Sequence, residues 1–201
     1  MTDRFSRSQL LSCGAKGAAA LLVSGSLAGA VVSPAAADSI PAADLAYARL
    51  LVGVELLAVD FYTAAIAAKQ FGPVVTTFIK RARFNEQEHY AAVSGILTGA
   101  GEVAASSSDF DFSYPAKSFA SKGAIAKLGV SLESTFLGAY LGAVAALQTN
   151  ALKQPVARIA ASEAEHLGAF TRLTKREPIG NSFPDALTID QASNALDAYT
   201  S

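Results

Sequence analysis

The sequence predicts an all-α protein, built on a bundle of four long helices with a short fifth helix near the C-terminus. Hydrophobic residues make up 51% of the 201 residues, yet aromatic residues make up only 8% and Trp is absent. The apolar residues recur every three or four positions over four long segments, and the alternation typical of strands is missing. Four helices with one apolar face each bury those faces by packing side by side.

Residues 1–37 are predicted to be a cleavable export signal outside the fold. Three basic residues open the segment, an apolar run follows, and Ala35-Ala36-Ala37 matches an A-x-A cleavage pattern. The mature domain would then be residues 38–201, exported by the Sec or twin-arginine route to the periplasm, the cell envelope or the outside of the cell. An uncleaved membrane anchor is the alternative, but the apolar run is short and rich in Ala and Gly.

The composition excludes several classes of function. A formal net charge of −1 offers no basic surface for nucleic acid. The single Cys and the single Met are Cys13 and Met1, both within the predicted signal. We therefore expect no haem ligated by methionine, no disulfide and no iron–sulfur cluster ligated by cysteine in the domain. The lack of easily oxidised side chains suits peroxide or oxygen chemistry, although drift in an alanine-rich sequence is the simpler explanation.

The helices are predicted in order from their apolar spacing and from their stop signals. The four long helices are expected at about residues 42–70, 74–98, 118–148 and 151–175, and the short fifth helix at 189–199. Phe-Gly-Pro ends the first helix, and a pair of glycines ends the second. A segment with two prolines and a glycine separates the fourth helix from the fifth.

Two segments outside the four long helices are expected to project from the bundle. The polar stretch 104–117, which contains Pro115, predicts a long loop between the second and third helices. The fifth helix is the other segment, with Thr188 as its expected N-cap. Both would obstruct assembly of a closed shell.

Each of the four apolar faces is interrupted near its middle by one glutamate. These residues are Glu55, Glu86, Glu133 and Glu163. A carboxylate on a buried face costs several kcal/mol unless it is paired or bound to metal. No Lys or Arg lies on the same faces at neighbouring turns. Metal is therefore the expected partner.

The only two histidines, His89 and His166, each follow one of these glutamates by three residues, which places both side chains on one helix face. The two glutamates of the first half are 31 residues apart, and those of the second half are 30 apart. This repeat predicts two related hairpins around a pseudo-twofold axis. Four carboxylates balance two divalent ions, and the mixed oxygen and nitrogen ligands suit Fe or Mn without choosing between them. The alternative, in which the Glu-x-x-His pairs are solvated, conflicts with the apolar faces.

Five further residues are weighed against this set. Glu88 and Glu165 lie two residues beyond a ligand glutamate, on the opposite side of the helix, and Asp60 lies off its apolar face. None of these three is expected to touch metal. Tyr62 and Tyr140 lie seven residues after a glutamate. They are tentative catalytic residues, as donors to the ligands or radical sinks, and the favoured alternative is a core role in which their hydroxyl groups need partners.

Several stretches resemble the ferritin-like domain family, in the bacterial exported branch that includes desiccation-related proteins. Leu50–Tyr62 resembles the first helix of that family, and Asn85–His89 resembles its second-helix motif, with Asn85 where a histidine is common. Leu132-Glu133 and Glu163–His166 resemble the third and fourth helices. The resemblance implies a ferritin-like bundle with a dimetal site formed by Glu55, Glu86, His89, Glu133, Glu163 and His166.

The resemblance implies less about activity, because the wider family includes storage cages, oxidases, peroxide reductases and manganese catalases. The first expectation is an oxidoreductase that cycles two Fe or two Mn ions against oxygen or hydrogen peroxide. A non-catalytic metal-binding protein of stress tolerance or desiccation, in the cell envelope, is the alternative, followed by iron storage with ferroxidase activity. Glu133 in the middle of the apolar third helix disfavours a membrane span. The expected partners are a small oxidant and, as an open question, a second copy of the chain.

Overall fold

Four long helices and a short fifth one make up the protein in the computed structural model, which describes residues 40–200. The helices are α1 (Ala42–Ala67), α2 (Pro73–Gly99), α3 (Lys122–Ala146), α4 (Asn150–Leu173) and α5 (Ile189–Asp197). The predicted all-α bundle is thereby confirmed. The predicted export signal lies outside the described residues.

Local backbone chemistry sets the helix ends. Lys69 and Lys175 follow α1 and α4 with positive φ values of 54° and 62°, so the right-handed helix cannot continue through them. Both helices, together with α3 and α5, end two or three residues before the predicted positions. The predicted start of α3 at residue 118 was wrong: the side chain of Ser121 accepts a hydrogen bond from the N–H of Ala124, and this cap starts the helix at the next residue.

Two contacts between α1 and α3 show how these helices run. Tyr62 of α1 contacts Glu133 of α3, and Tyr140 of α3 contacts Glu55 of α1. The later residue of each helix meets the earlier residue of the other, so α1 and α3 are antiparallel. Since α1 and α2 form a hairpin, α2 and α3 run in the same direction. The chain must therefore return along the bundle between α2 and α3, as in bundles with one long crossover.

The return connection, residues 100–121, lies along α1. Near the first turns of α1, Glu102 forms an ion pair with Arg49. Further along, the hydroxyl group of Tyr114 donates a hydrogen bond to Asp60 near the other end of α1, at 2.7 Å. The expectation that this loop projects from the bundle was wrong, because its aromatic side chains pack against the core.

The fifth helix also packs onto the bundle and does not project from it. It contacts both α1 and α3, and Thr188 forms the predicted N-cap. The N–H of Leu187 donates a hydrogen bond to the carbonyl of Gly138 at 2.8 Å. A Cβ atom at Gly142 would lie only 1.8 Å from the carbonyl oxygen of Leu187. Two glycines one turn apart on α3 therefore make the close approach of this segment possible.

These additions cover much of the surface of α1 and α3. All nine residues from Leu50 to Ala58 are buried, so the single apolar face predicted for α1 describes only part of its packing. By length and composition alone, α1 and α3 could each cross a membrane, but a core helix passes the same test. More than half of the apolar window of each is buried within the bundle. The two outer helices, α2 and α4, keep one exposed face.

Candidate metal centre

Six ionisable side chains from the four long helices meet in the middle of the bundle. They are the six that the sequence singles out: Glu55, Glu86, His89, Glu133, Glu163 and His166. All four glutamates are 0% exposed, and both histidines are largely covered. The apolar faces bring them together, because each glutamate lies on the buried face of its own helix.

The six residues form two overlapping groups, and the ligand atoms within each group lie within 4.8 Å of one another. One group contains Glu55, Glu86, His89 and Glu163, and the other contains Glu86, Glu133, Glu163 and His166. We call Glu86 and Glu163 the shared glutamates. Glu55 with His89 is called the His89 half, and Glu133 with His166 is called the His166 half.

Each histidine turns its Nδ1 atom toward the shared glutamates. Nδ1 of His89 lies 3.1 Å from Oε2 of Glu86, on its own helix, and 3.0 Å from Oε1 of Glu163 across the bundle. Nδ1 of His166 lies 3.4 Å from Oε2 of Glu163 and 2.8 Å from Oε1 of Glu86. The two Glu-x-x-His motifs therefore face each other as the repeat predicts.

The two tyrosines bind the remaining glutamates. The hydroxyl group of Tyr62 donates to Glu133, and that of Tyr140 donates to Glu55, so each hairpin supplies the donor for the other. Both tyrosines are completely buried. They are core residues and donors to the candidate ligands at once, and a radical role stays a prediction.

Several buried ligand atoms of the centre form no hydrogen bond. They are Oε2 of Glu55, Oε1 of Glu86, Oε2 of Glu133, both carboxylate oxygens of Glu163 and Nδ1 of His166. Buried polar atoms in proteins are almost always paired. Within residues 40–200 no Lys or Arg forms an ion pair with any of these glutamates. Carboxylate oxygens and an imidazole nitrogen suit Fe or Mn, so the residues fit a metal centre.

The family comparison agrees with this site. A family model described as a ferritin-like domain matches residues 43–176. The chain belongs to the ferritin-like domain family. The match spans the four long helices of the ferritin-like bundle and ends before α5. A search of curated proteins finds no match to this ferritin-like chain.

Without metal, the ferritin-like centre holds protons. Burial raises the pKa values of Glu55 and Glu133 well above the usual value, and the charges of the shared glutamates raise them further. Burial opposes a charge on the histidines, but their contacts with the shared glutamates raise the pKa of His89 to about 9 and that of His166 to about 11. In the metal-free protein, bound protons therefore offset the negative charge of the glutamates, as metal ions would.

Three carboxylates set aside in the sequence lie outside both groups. Glu88 and Glu165 are exposed on α2 and α4. Asp60 accepts its hydrogen bond from Tyr114, in the return connection. Their exclusion from both groups was predicted correctly, because it depends only on which side of its own helix each residue lies.

Sequence reasoning missed one residue of the site, Asn85. Its Nδ2 atom lies 3.2 Å from Nε2 of His166. Asn85 directly precedes a shared glutamate in the second-helix motif, and that adjacency is the signal by which it could have been found. Its partner lies 81 residues further along the chain, so spacing alone does not reveal the contact.

Proposed function

We propose that this ferritin-like protein binds two Fe or two Mn ions and uses them in redox chemistry with oxygen or hydrogen peroxide. One observation carries the proposal: a buried, doubled half-site in which several ligand atoms form no hydrogen bond and no described Lys or Arg pairs with the glutamates. Four carboxylates can neutralise two divalent ions, and each half supplies one imidazole. Such sets are characteristic of dimetal-carboxylate bundles.

Each half would hold one ion, and the shared glutamates would lie between the two. Glu55 and His89 would hold one ion, and Glu133 and His166 the other. Two bound Fe or Mn ions supply the electron transfers that oxygen or peroxide chemistry requires.

The chain itself orients the ligands and limits access to them. Tyr62 and Tyr140 fix one carboxylate oxygen each on Glu133 and Glu55, which leaves the other oxygen for an ion. The side chain of His89 is 12% exposed, more than those of the other five residues. We therefore place the approach of the oxidant at His89. Such limited exposure favours a small molecule over a bulky substrate.

Peroxide disproportionation fits an exported protein best among these reactions. One peroxide molecule is oxidised to oxygen while a second is reduced to water, so no external electron donor is needed. Export rests on the predicted signal of residues 1–37 and is part of the proposal. An oxidase or peroxidase would need a separate reductant.

A non-catalytic stress protein is the second candidate. Complete burial of all four glutamates favours it, because metal bound there would remove a large electrostatic cost and stabilise the bundle. This reading predicts metal-dependent stability without turnover.

Metal analysis combined with two assays separates these functions. The purified protein, loaded with Mn or with Fe, would be assayed for peroxide disproportionation and for oxygen uptake. Two ions per chain with turnover would support the redox proposal.

Glu86→Gln and Glu163→Gln should abolish turnover, whereas the exposed matched controls Glu88→Gln and Glu165→Gln should retain it. Two ions without turnover would support the stress protein, and a folded chain that takes up no metal would contradict both.

A further inference from the structure

The two halves of the centre differ in what holds their histidines. Asn85 lies 3.2 Å from Nε2 of His166, on the side of the ring away from the cluster. No described residue forms a hydrogen bond with Nε2 of His89. Asn85 directly precedes one shared glutamate, and the residue that directly precedes the other is Ser162. A serine side chain is too short to replace the amide, so the repeat is broken at this position.

The packing around the two histidines differs in the same sense. The ring of His166 meets the ring of Tyr62 edge-on, with centroids 6.0 Å apart. Tyr62 packs in turn against Phe170, with centroids 5.8 Å apart. Phe170 follows its shared glutamate by seven residues, and the residue at the same interval in the first hairpin is Val93. Among residues 40–200, a tyrosine ring packs against His166 only, and the one ring that meets His89 is that of His166, with centroids 6.4 Å apart.

A glycine makes room for this packing. A Cβ atom at Gly129 would lie 2.5 Å from the ring of Phe170. Gly129 precedes Glu133 by four residues, and the residue at the same interval before Glu55 is Leu51. The side chain of His166 is 5% exposed and that of His89 is 12% exposed. The contact of Asn85 with Nε2, the packing against Tyr62 and the lower exposure all restrain the ring of His166.

We propose that the two metal positions are inequivalent, and that Asn85 is the positioning residue chiefly responsible. The His166 half binds its ion first and more tightly, and the His89 half holds the exchangeable ion on the accessible side. This inference rests on the proposed metal-binding function and adds to it an order of loading.

The physical cause is the orientation of the imidazole. When Nδ1 binds an ion, Nε2 carries the hydrogen and needs an acceptor. The amide of Asn85 supplies its oxygen to that hydrogen by a half-turn about its last bond. His166 is then held in the ligating orientation from both ring nitrogens, whereas the ring of His89 is held only through Nδ1, by the shared glutamates that the metal would also bind.

Stepwise titration of the metal-free, full-length protein with Co²⁺ tests this inference. Binding would be followed by visible absorption and by competition with a chelator. We expect two steps, with dissociation constants at least about tenfold apart.

His166→Gln should remove the tight step, and His89→Gln should remove the weak one. Asn85→Ser should weaken the tight step by about 10–100-fold. Asn85→Asp keeps an oxygen acceptor and should preserve it, as should Ser162→Asn.

Two results would overturn the inference. One is a pair of equal steps in the wild type, and the other is a tight step that Asn85→Ser leaves unchanged. If Asn85→Ser fails to fold by circular dichroism, the comparison of His89→Gln with His166→Gln decides the matter. A folded wild-type chain that binds no Co²⁺ would overturn the proposed function itself, and that result is distinct from two equal sites.

Discussion

The hydroxyl group of Tyr62 donates a hydrogen bond to the carboxylate of Glu133, which lies 71 residues later in the chain. Tyr140 makes the matching contact with Glu55. The donors thus cross between the hairpins, and each buried carboxylate depends on a tyrosine of the other half. The internal repeat is therefore a relationship between two interlocked units, and not only a similarity of sequence.

Loss of one of these donors should destabilise the metal-free protein. Tyr62→Phe leaves the buried carboxyl group of Glu133 without this hydrogen bond, so we expect the free energy of unfolding to fall by about 1–3 kcal/mol. Urea unfolding followed by circular dichroism measures it. The matched control is Tyr47→Phe, since Tyr47 is half-buried and its hydroxyl group has no hydrogen bond among the described residues. An equal loss in both variants would contradict the assigned role of Tyr62.

Metal uptake should release protons. In the metal-free protein the pKa values of Glu55 and Glu133 are raised, and those of His89 and His166 are about 9 and about 11. His89 and His166 therefore hold protons at pH 7, and the raised pKa values of Glu55 and Glu133 favour their protonated forms, so a metal ion must displace protons. Affinity should rise with pH and fall in acid.

A pH-indicator dye in weakly buffered solution would measure the protons released per Mn²⁺ bound. We expect at least one proton per ion, and an apparent affinity that increases by about tenfold or more per pH unit near neutrality. Glu88→Gln should release the same number of protons. Binding that is independent of pH would contradict the protonated cluster.

Asp44 joins α1 to the start of α4. Its carboxylate accepts hydrogen bonds from the backbone N–H groups of Gln148 and Thr149, at 2.9 and 2.8 Å. Thr149 is the N-cap residue of α4, so Asp44 fixes the backbone immediately before the first turn of that helix. Burial opposes the charge on Asp44, yet these two hydrogen bonds hold its pKa below the usual value.

The stability that Asp44 contributes should depend on pH. Since its folded pKa is lowered, the contribution is present above the unfolded pKa of about 4 and is lost as the pH falls through the folded value. We expect Asp44→Asn to cost about 1–2 kcal/mol at pH 7, because its hydrogen bonds lose the charge, and progressively less below pH 4. Chemical unfolding across this range measures it, with the exposed Asp185→Asn as the control. A cost that stays constant down to pH 2 would be inconsistent with this role.

Gly142 should be needed for the attachment of α5. A Cβ atom there would meet the carbonyl oxygen of Leu187 at 1.8 Å, so Gly142→Ala should cost about 1–3 kcal/mol. Limited proteolysis should then cut faster in residues 176–188. The control is Gly168→Ala, which meets no atom within 4 Å and should gain up to about 1 kcal/mol. Unchanged stability and proteolysis in Gly142→Ala would show that α5 does not depend on this contact.

Single-helix spacing was enough to predict which side chains meet in the centre. Glu86 and His89 share a face by local geometry, and the apolar residues around them show that this face is buried. The contact of Asn85 with His166 could not be predicted in this way, because it depends on how two helices align across the bundle. The same limit applies to Asp44, whose partners lie more than 100 residues away.

The packing of α5 and of the return connection was also hidden from sequence spacing. Residues 100–121 have the composition of a projecting loop. They instead run back along α1, because the antiparallel arrangement of α1 and α3 requires the chain to return to the other end of the bundle. From the sequence alone, Gly138 and Gly142 would be expected only to weaken α3. In the structure they allow the backbone near Leu187 to lie against the helix. Interactions between distant segments, and not local propensity, decide these features.

The proposed function depends most directly on the presence of two metal ions at the buried cluster. Anomalous X-ray scattering from crystals of the Mn- or Fe-loaded protein, collected at the absorption edge of the metal, locates them. We predict two peaks about 3.5–4 Å apart, both next to the shared glutamates, one beside His89 and the other beside His166. Peaks elsewhere on the molecule, or a cluster that stays empty in metal-loaded crystals, would contradict the proposed function.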